Sequence, residues 1–134
     1  MFIHKLAKDE QRAFFGLAKH LIASDGRIAE EEALALKQIE METGLSSDGI
    51  APCDATDAGV VAALSGKRAR AATVLELLGI ACADGEFHPA ENAVIKSVAA
   101  ALGVTDDELL WMANWVQRQI ALTLEAETFF QEEN

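Results

Sequence analysis

Four acidic residues recur as two matched pairs along the chain. Asp25 and Glu32 are seven residues apart, Asp84 and Glu91 repeat that spacing, and a glycine follows each aspartate. Carboxylate oxygens are hard ligands, which suit Mg²⁺, Ca²⁺ or Mn²⁺ better than zinc or copper. If the fold gathers both pairs on one side, the four carboxylates predict a site for a divalent cation and no organic cofactor.

The same four residues have a second interpretation as structural caps. Glu32 and Glu91 each fall near the third position of a predicted helix, where a glutamate caps backbone N–H groups and interacts favourably with the helix dipole. Asp-Gly is also an ordinary turn dipeptide. From the residues alone, cation binding and capping both remain open.

A calcium-binding EF-hand is excluded. The pattern D-G-x-I-x-x-x-E matches the second half of that loop. The first and third ligand positions would be Leu21 and Ala23, and in the second copy Ile80 and Cys82, none of which supplies a side-chain oxygen.

We expect no enzymatic activity. No Ser, Cys or His arrangement provides a nucleophile with an orienting base, and the nine glycines stand singly rather than in a phosphate-binding loop. The two cysteines, Cys53 and Cys82, form no C-x-x-C pair, which argues against a thiolate zinc site or a disulfide framework. Cys82 is expected to be a small core residue.

The elements that must position the acids are predicted to be helices. Alanine is abundant, there are two prolines and no tyrosine, and no alternating β-branched run has strand length. Asp54 is the expected N-cap of the third helix, and Thr105 with Glu108 forms a capping box before the last. The predicted helices cover residues 8–23, 30–42, 55–64, 67–83, 89–103 and 105 to about 130.

An internal repeat relates the two acidic pairs. Residues 17–48 align with residues 76–107 at a separation of 59, and both copies read helix, D-G-x-[IF]-x-x-x-E, helix, and G-[LV]-[ST]-x-D opening a third helix. Ile28 and Phe87 are the equivalent apolar anchors after the acidic turns. The repeat predicts two helix-turn-helix units packed face to face about a pseudo-twofold axis.

The doubled pattern D-G-x-[IF]-x-x-x-E, preceded by Ala23-Ser24 in the first copy and by Cys82-Ala83 in the second, resembles the TerB-like family, which includes tellurite-resistance proteins and the N-terminal domains of DjlA-type co-chaperones. The resemblance covers residues 8–130 and leaves 1–7 and 131–134 as short terminal segments. It implies a single all-α domain of about six or seven helices, a bacterial origin and a cation site formed by the acidic residues.

Composition limits the class of partner. Lys and Arg number 11 against 22 Asp and Glu, which gives a net charge of −11. This balance argues against nucleic acid or anionic lipid as a partner. Half of the residues are hydrophobic (51%), enough for a core, but no apolar run is long enough to span a membrane. With no signal-peptide pattern, the sequence predicts a cytoplasmic protein.

Side chains elsewhere in the chain could serve a protein partner. Trp111 and Trp115 lie one helical turn apart, which favours core packing, with a partner groove or a homodimer interface as the alternative. Glu76 is expected to be a solvated helix residue, although it could approach the acidic turns. The basic cluster Lys67, Arg68 and Arg70 could face an acidic segment.

Taken together, the sequence predicts a non-enzymatic binding module in a bacterial stress or tellurite/metal-resistance response, which binds a divalent cation through Asp25, Glu32, Asp84 and Glu91. The alternative is a metal-free protein-interaction scaffold or co-chaperone-type domain. A protein partner is expected in either case.

Overall fold

Six α-helices form from the residues that the structure describes, and they pack around one hydrophobic core. The computed structural model describes residues 1–24, 26, 30–83 and 88–132, and within these ranges there is no β-strand. The predicted all-α class is therefore confirmed. The helices are α1 (Lys8–Ala23), α2 (Glu30–Thr43), α3 (Ala58–Leu64), α4 (Lys67–Ala81), α5 (Pro89–Leu102) and α6 (Asp106–Glu127), with short 3₁₀ turns at Ile3–Lys5 and Thr128–Phe130.

The internal repeat is visible in the backbone. Helices α2 and α5 begin and end at residues exactly 59 apart. Each is followed by a glycine in the left-handed conformation, Gly44 at φ 71° and Gly103 at φ 85°. Helix α1 contacts α4, and the contacts of α1 with α5 and of α2 with α4 are both present. These are the pairings that a pseudo-twofold relation between the two units requires.

The two copies differ after their second helix, contrary to the sequence prediction. Thr105 accepts the backbone N–H of Glu108 at 3.1 Å and opens α6. At the equivalent place in the first copy, Ser46 accepts the N–H of Asp48 at 3.1 Å, and no helix follows. The position equivalent to Glu108 is Gly49, at φ 83°. The first copy therefore lacks the glutamate that completes the capping box.

The start of α3 also differs from the prediction. The helix begins at Ala58, and its N-cap is Asp57, which accepts the backbone N–H of Val60 at 3.1 Å. Asp54 instead accepts the N–H and the hydroxyl of Thr56, in a turn that precedes the helix. Asp54 bonds two residues on, as aspartate does in a turn, and the cap function passes to Asp57.

Helix α4 lies at the centre of the molecule and contacts all five other helices. Leu77, Leu78 and Ile80 of α4 pack with Phe14 and Phe15 of α1, all at most 1% exposed. The N-terminal residues join this core, since Ile3 and Leu6 are 1% and 4% exposed although the sequence predicts a terminal segment at 1–7. None of the described helices is long and apolar enough to cross a membrane.

Helices α4 and α6 end earlier than predicted, and α6 stops at Glu127 rather than at about 130. Helix α4 stops at Ala81 rather than at 83, and Cys82 is a half-buried C-cap residue rather than a core residue. Helix α6 leaves the body. All of its residues are described, and of these Leu109 and Val116 alone are buried. The second half of α6 therefore extends beyond the core.

Candidate functional site: the starts of helices α2 and α5

Two glutamates at equivalent positions of the repeat are buried. Glu32 is the third residue of α2 and is 1% exposed, and Glu91 is the third residue of α5 and is 0% exposed. The neighbouring Glu30 and Glu31 are exposed. A carboxylate removed from water must be compensated by hydrogen bonds or by positive charge. The sequence pattern alone does not reveal that the repeated glutamates are buried while their neighbours are exposed.

The other predicted ligands lie outside the described residues. These are Asp25 and Asp84. The predicted core anchors Ile28 and Phe87 also lie outside the described residues. The described part of the chain contains no group of three or more His, Cys, Asp or Glu side chains arranged as metal ligands. The expected gathering of four carboxylates therefore remains a prediction.

The backbone turns that lead into the acidic segments match in the two copies. The N–H of Ser24 donates to the carbonyl of Leu21 at 3.2 Å, and the N–H of Ala83 donates to that of Ile80 at 3.1 Å. In both pairs the donor lies three residues after the acceptor and 59 residues separate the copies. The backbone therefore makes the same hydrogen-bonded turn after α1 and after α4, just before Asp25 and Asp84.

The start of α5 is fixed by its sequence. Pro89 occupies the first helical position, where its missing N–H costs nothing and its φ suits the helix. The third position then falls on Glu91. In α2 the first position is Glu30, so the third falls on Glu32. At both sites the partial positive charge of the helix N-terminus favours a carboxylate.

Glu76 is a third buried glutamate, and its predicted solvation is wrong. It is 4% exposed, and its carboxylate pairs with the amino group of Met1 at 3.0 Å and accepts the backbone N–H of Phe2. A signal existed in the sequence, since Glu76 is the only charged residue between Arg70 and Asp84. A single charge inside an apolar central helix needs a specific partner.

One member of the basic cluster, Arg68, is bonded within the molecule. Arg68 forms a two-pronged ion pair with Glu10, at 2.9 and 3.1 Å, and also donates to the carbonyl of Lys5. The hydrogen bond from Arg68, then that from the N–H of Ala7, holds the pKa of Glu10 below its usual value. Arg68 therefore joins α4 to the start of α1, and an acidic partner for the cluster stays a prediction.

The two tryptophans of α6 occupy different environments. Trp111 is 74% exposed, so the core interpretation is wrong for this residue. Trp115 is half-buried, and its ring lies 5.6 Å from that of Phe2 at an angle of 48°. Their assignment to a partner interface stays a prediction.

Cys53 lies in a setting that disfavours its thiolate. Burial, followed by the charges of Asp57 and Asp54, raises the pKa of its thiol. The thiolate is the nucleophilic form of cysteine, and at neutral pH this one is kept protonated.

Comparison with known proteins identifies a relationship for part of the chain. Residues 53–112 match the family model described as Tellurite resistance protein TerB. The matched segment runs from the loop before α3 into α6, and so contains the second copy of the repeat with Asp84 and Glu91. Comparisons with curated proteins and with solved structures found no match. The match supports, over residues 53–112, the resemblance to the TerB-like family seen in the doubled acidic pattern.

Proposed function

We propose that this TerB-like chain is a non-enzymatic binding module of the bacterial cytoplasm, which acts in a stress or metal-resistance response. In this proposal it binds one divalent cation, Ca²⁺, Mg²⁺ or Mn²⁺, through Asp25, Glu32, Asp84 and Glu91. The observation that carries the proposal is the burial of Glu32 and Glu91 at equivalent positions of the repeat.

The donor set fits a hard cation. All four side chains are carboxylates, and two of them are already removed from water, so that a cation would meet little competition from solvent there. The net charge of −11 also favours a cationic ligand over an anionic one. When bound, such an ion would supply the positive charge that offsets repulsion among the carboxylates.

Capping is the competing explanation for the same residues, and it makes different predictions. A cap acts through backbone N–H groups and needs no ion. Under that explanation Glu91→Gln would cost little stability, and Asp84→Ala would cost about 1 kcal/mol through lost turn hydrogen bonds. No divalent ion would matter beyond general screening.

Thermal unfolding with and without divalent ions tests the proposal. A ligand at a hundredfold excess over Kd stabilises the native state by about 2.7 kcal/mol, which corresponds to several degrees in Tm. We expect Ca²⁺, Mg²⁺ or Mn²⁺ to raise the Tm by that amount above Na⁺ at matched ionic strength. Equal effects of divalent ions and Na⁺ would contradict the proposal.

Neighbouring glutamates provide a matched control. Glu32→Gln and Glu91→Gln should reduce the cation-induced rise in Tm, and without a cation they should be neutral or stabilising because they relieve repulsion. Glu31→Gln removes the same charge from an exposed neighbour of Glu32 and should leave the cation response intact. A similar loss for all three variants would indicate a diffuse charge effect rather than a site.

The second candidate function is a metal-free interaction scaffold. Large apolar side chains exposed on α6 favour it: Leu110, Trp111, Leu122 and Leu124 are each at least 60% exposed. This function predicts no specific cation response and is tested separately through the surface of α6.

A further inference from the structure

A second apolar stripe runs along the outer side of α6. Helix α6 packs on the body through Leu109 and Val116, which lie on one side at 100° per residue. Trp111 and Leu122 lie on roughly the opposite side, and Trp115 lies at its edge, where its ring also meets Phe2 of the body. With Arg118, Ala126 and Phe129, which lies in the 3₁₀ turn after the helix, they form a series spaced four, three, four, four and three residues apart. This is close to the spacing of a coiled-coil interface. We call these six residues the outer stripe.

Much of the outer stripe is open to solvent. Trp111 is 74% exposed, Leu122 60% and Phe129 80%. An aromatic side chain buries about 150–250 Å² when covered, so two copies of the stripe would bring together on the order of 1,000 Å², the size at which specific interfaces begin. The stripe is therefore large enough to hold a partner helix.

We propose that the outer stripe binds the same stripe of a second copy, with the two α6 helices antiparallel. With the twofold axis between Arg118 and Leu122, Trp111 of each copy faces the position of Phe129 in the other. Trp115 then faces the small Ala126, and the aromatic rings of Trp111 and Phe129 can pack on each other. This proposal does not depend on cation binding.

Charge favours the antiparallel direction. Arg118 is the only Lys or Arg after residue 96, and Glu125 lies two turns further along α6. In the antiparallel register Arg118 faces Leu122 of the other copy, and Glu125 is one turn away, within reach of the guanidinium group. A parallel pair would instead place Arg118 against Arg118 of the other copy, where like charges repel, and would bring the bodies of two acidic chains side by side.

Sedimentation velocity over a wide concentration range tests this inference. We expect a monomer–dimer equilibrium in the wild-type chain, and Leu122→Glu should weaken it at least about tenfold, as replacement of an interface anchor by a charge does. Leu124→Glu is the matched control, because Leu124 is 64% exposed but lies on another side of the helix. It should leave the dimer unchanged.

Charge exchange tests the direction of pairing. Arg118→Glu and Glu125→Arg should each weaken the dimer, and the double variant should restore it. All of these residues are outside the core, so circular dichroism should show folded variants. A wild-type chain that is monomeric at every concentration would overturn the proposal. So would equal damage from Leu122→Glu and Leu124→Glu, or a double charge variant that is no tighter than either single one.

Discussion

At the scale of single residues, Gly16 of α1 lies close against the loop that precedes α3. The backbone N–H of Cys53 donates to the carbonyl of Gly16 at 3.0 Å. A Cβ atom on residue 16 would lie 2.5 Å from the Cys53 sulfur and 3.2 Å from the carbonyl oxygen of Ala51. Glycine is therefore required by the space available, although the residue lies inside a helix that would otherwise favour alanine.

Gly16→Ala is expected to destabilise the protein by about 1–2 kcal/mol, because overpacking costs more than the gain in helix propensity. In a Cys53→Ala background the sulfur is gone, and the same substitution should be nearly neutral. Gly79→Ala, in α4, meets only Met1 at 3.5 Å and should stabilise by about 0.5–1 kcal/mol. Urea unfolding of the four variants measures these differences, and equal costs of Gly16→Ala in both backgrounds would contradict the explanation.

The ion pair between Glu10 and Arg68 makes stability depend on pH. The lowered pKa of Glu10 means that the folded state favours its ionised form. Its contribution is therefore present above the ordinary pKa and is lost as the pH falls through the lower, folded-state pKa. We expect Arg68→Gln to lower the Tm at neutral pH, and the difference from wild type to shrink in acid.

Lys67→Gln is the control for this pH dependence, since it removes the same charge from the adjacent, exposed position. It should show a smaller difference from wild type with little change in acid. An Arg68→Gln deficit that is constant between neutral pH and pH values below the carboxylate range would show that Arg68 acts through packing alone.

At the scale of elements, the repeat fixes where the second helix of each unit ends. Gly44 and Gly103 both have positive φ and follow α2 and α5. Left-handed backbone is accessible to glycine without the cost that a Cβ brings. We expect Gly44→Ala and Gly103→Ala each to cost about 1 kcal/mol, measured by chemical denaturation.

Asparagine at the same two positions should cost less than alanine, because it tolerates the left-handed conformation better. Similar costs at 44 and 103 would follow from their equivalence in the repeat. If alanine and asparagine were equally tolerated at both positions, the helix ends would not depend on glycine conformation.

The sequence predicts elements well where local signals agree. The start of α5 follows from Pro89, and the start of α6 follows from Thr105 and Glu108. The spacing of apolar residues between 8 and 23 predicts α1 with the bounds that the structure has. The prediction fails at α3, where two aspartates could cap and Asp57 is the one that does. It also fails after Gly44, because identity at turn positions does not supply the missing glutamate. At both places the local sequence allows more than one set of hydrogen bonds, and the structure shows which set forms.

At the scale of the whole molecule, burial decides which acidic residues are exceptional. The sequence identifies Glu32 and Glu91 as equivalent, but it cannot distinguish them from the exposed Glu30 and Glu31, since burial depends on tertiary packing. The predictions for Glu76 and Trp111 are wrong for the same reason. Helical periodicity indicates which residues share a side of a helix, and it does not indicate which sides another element covers.

The net charge of −11 gives every cation some attraction to this molecule. General attraction is screened by salt, whereas a site with several carboxylate ligands is saturable and selective. Any measurement of cation binding must therefore separate these two contributions, and calorimetry at a fixed, moderate salt concentration does so.

Isothermal titration of Ca²⁺, Mg²⁺ and Mn²⁺ into the metal-free chain tests directly whether the paired acidic turns bind a cation. We predict saturable binding of one ion per chain for at least one of the three metals. Binding should be lost in the Asp25→Asn/Asp84→Asn double variant and retained in Glu31→Gln. Heats no larger than dilution for all three ions, or saturable binding that survives in the double variant, would contradict a cation site formed by the paired acidic turns.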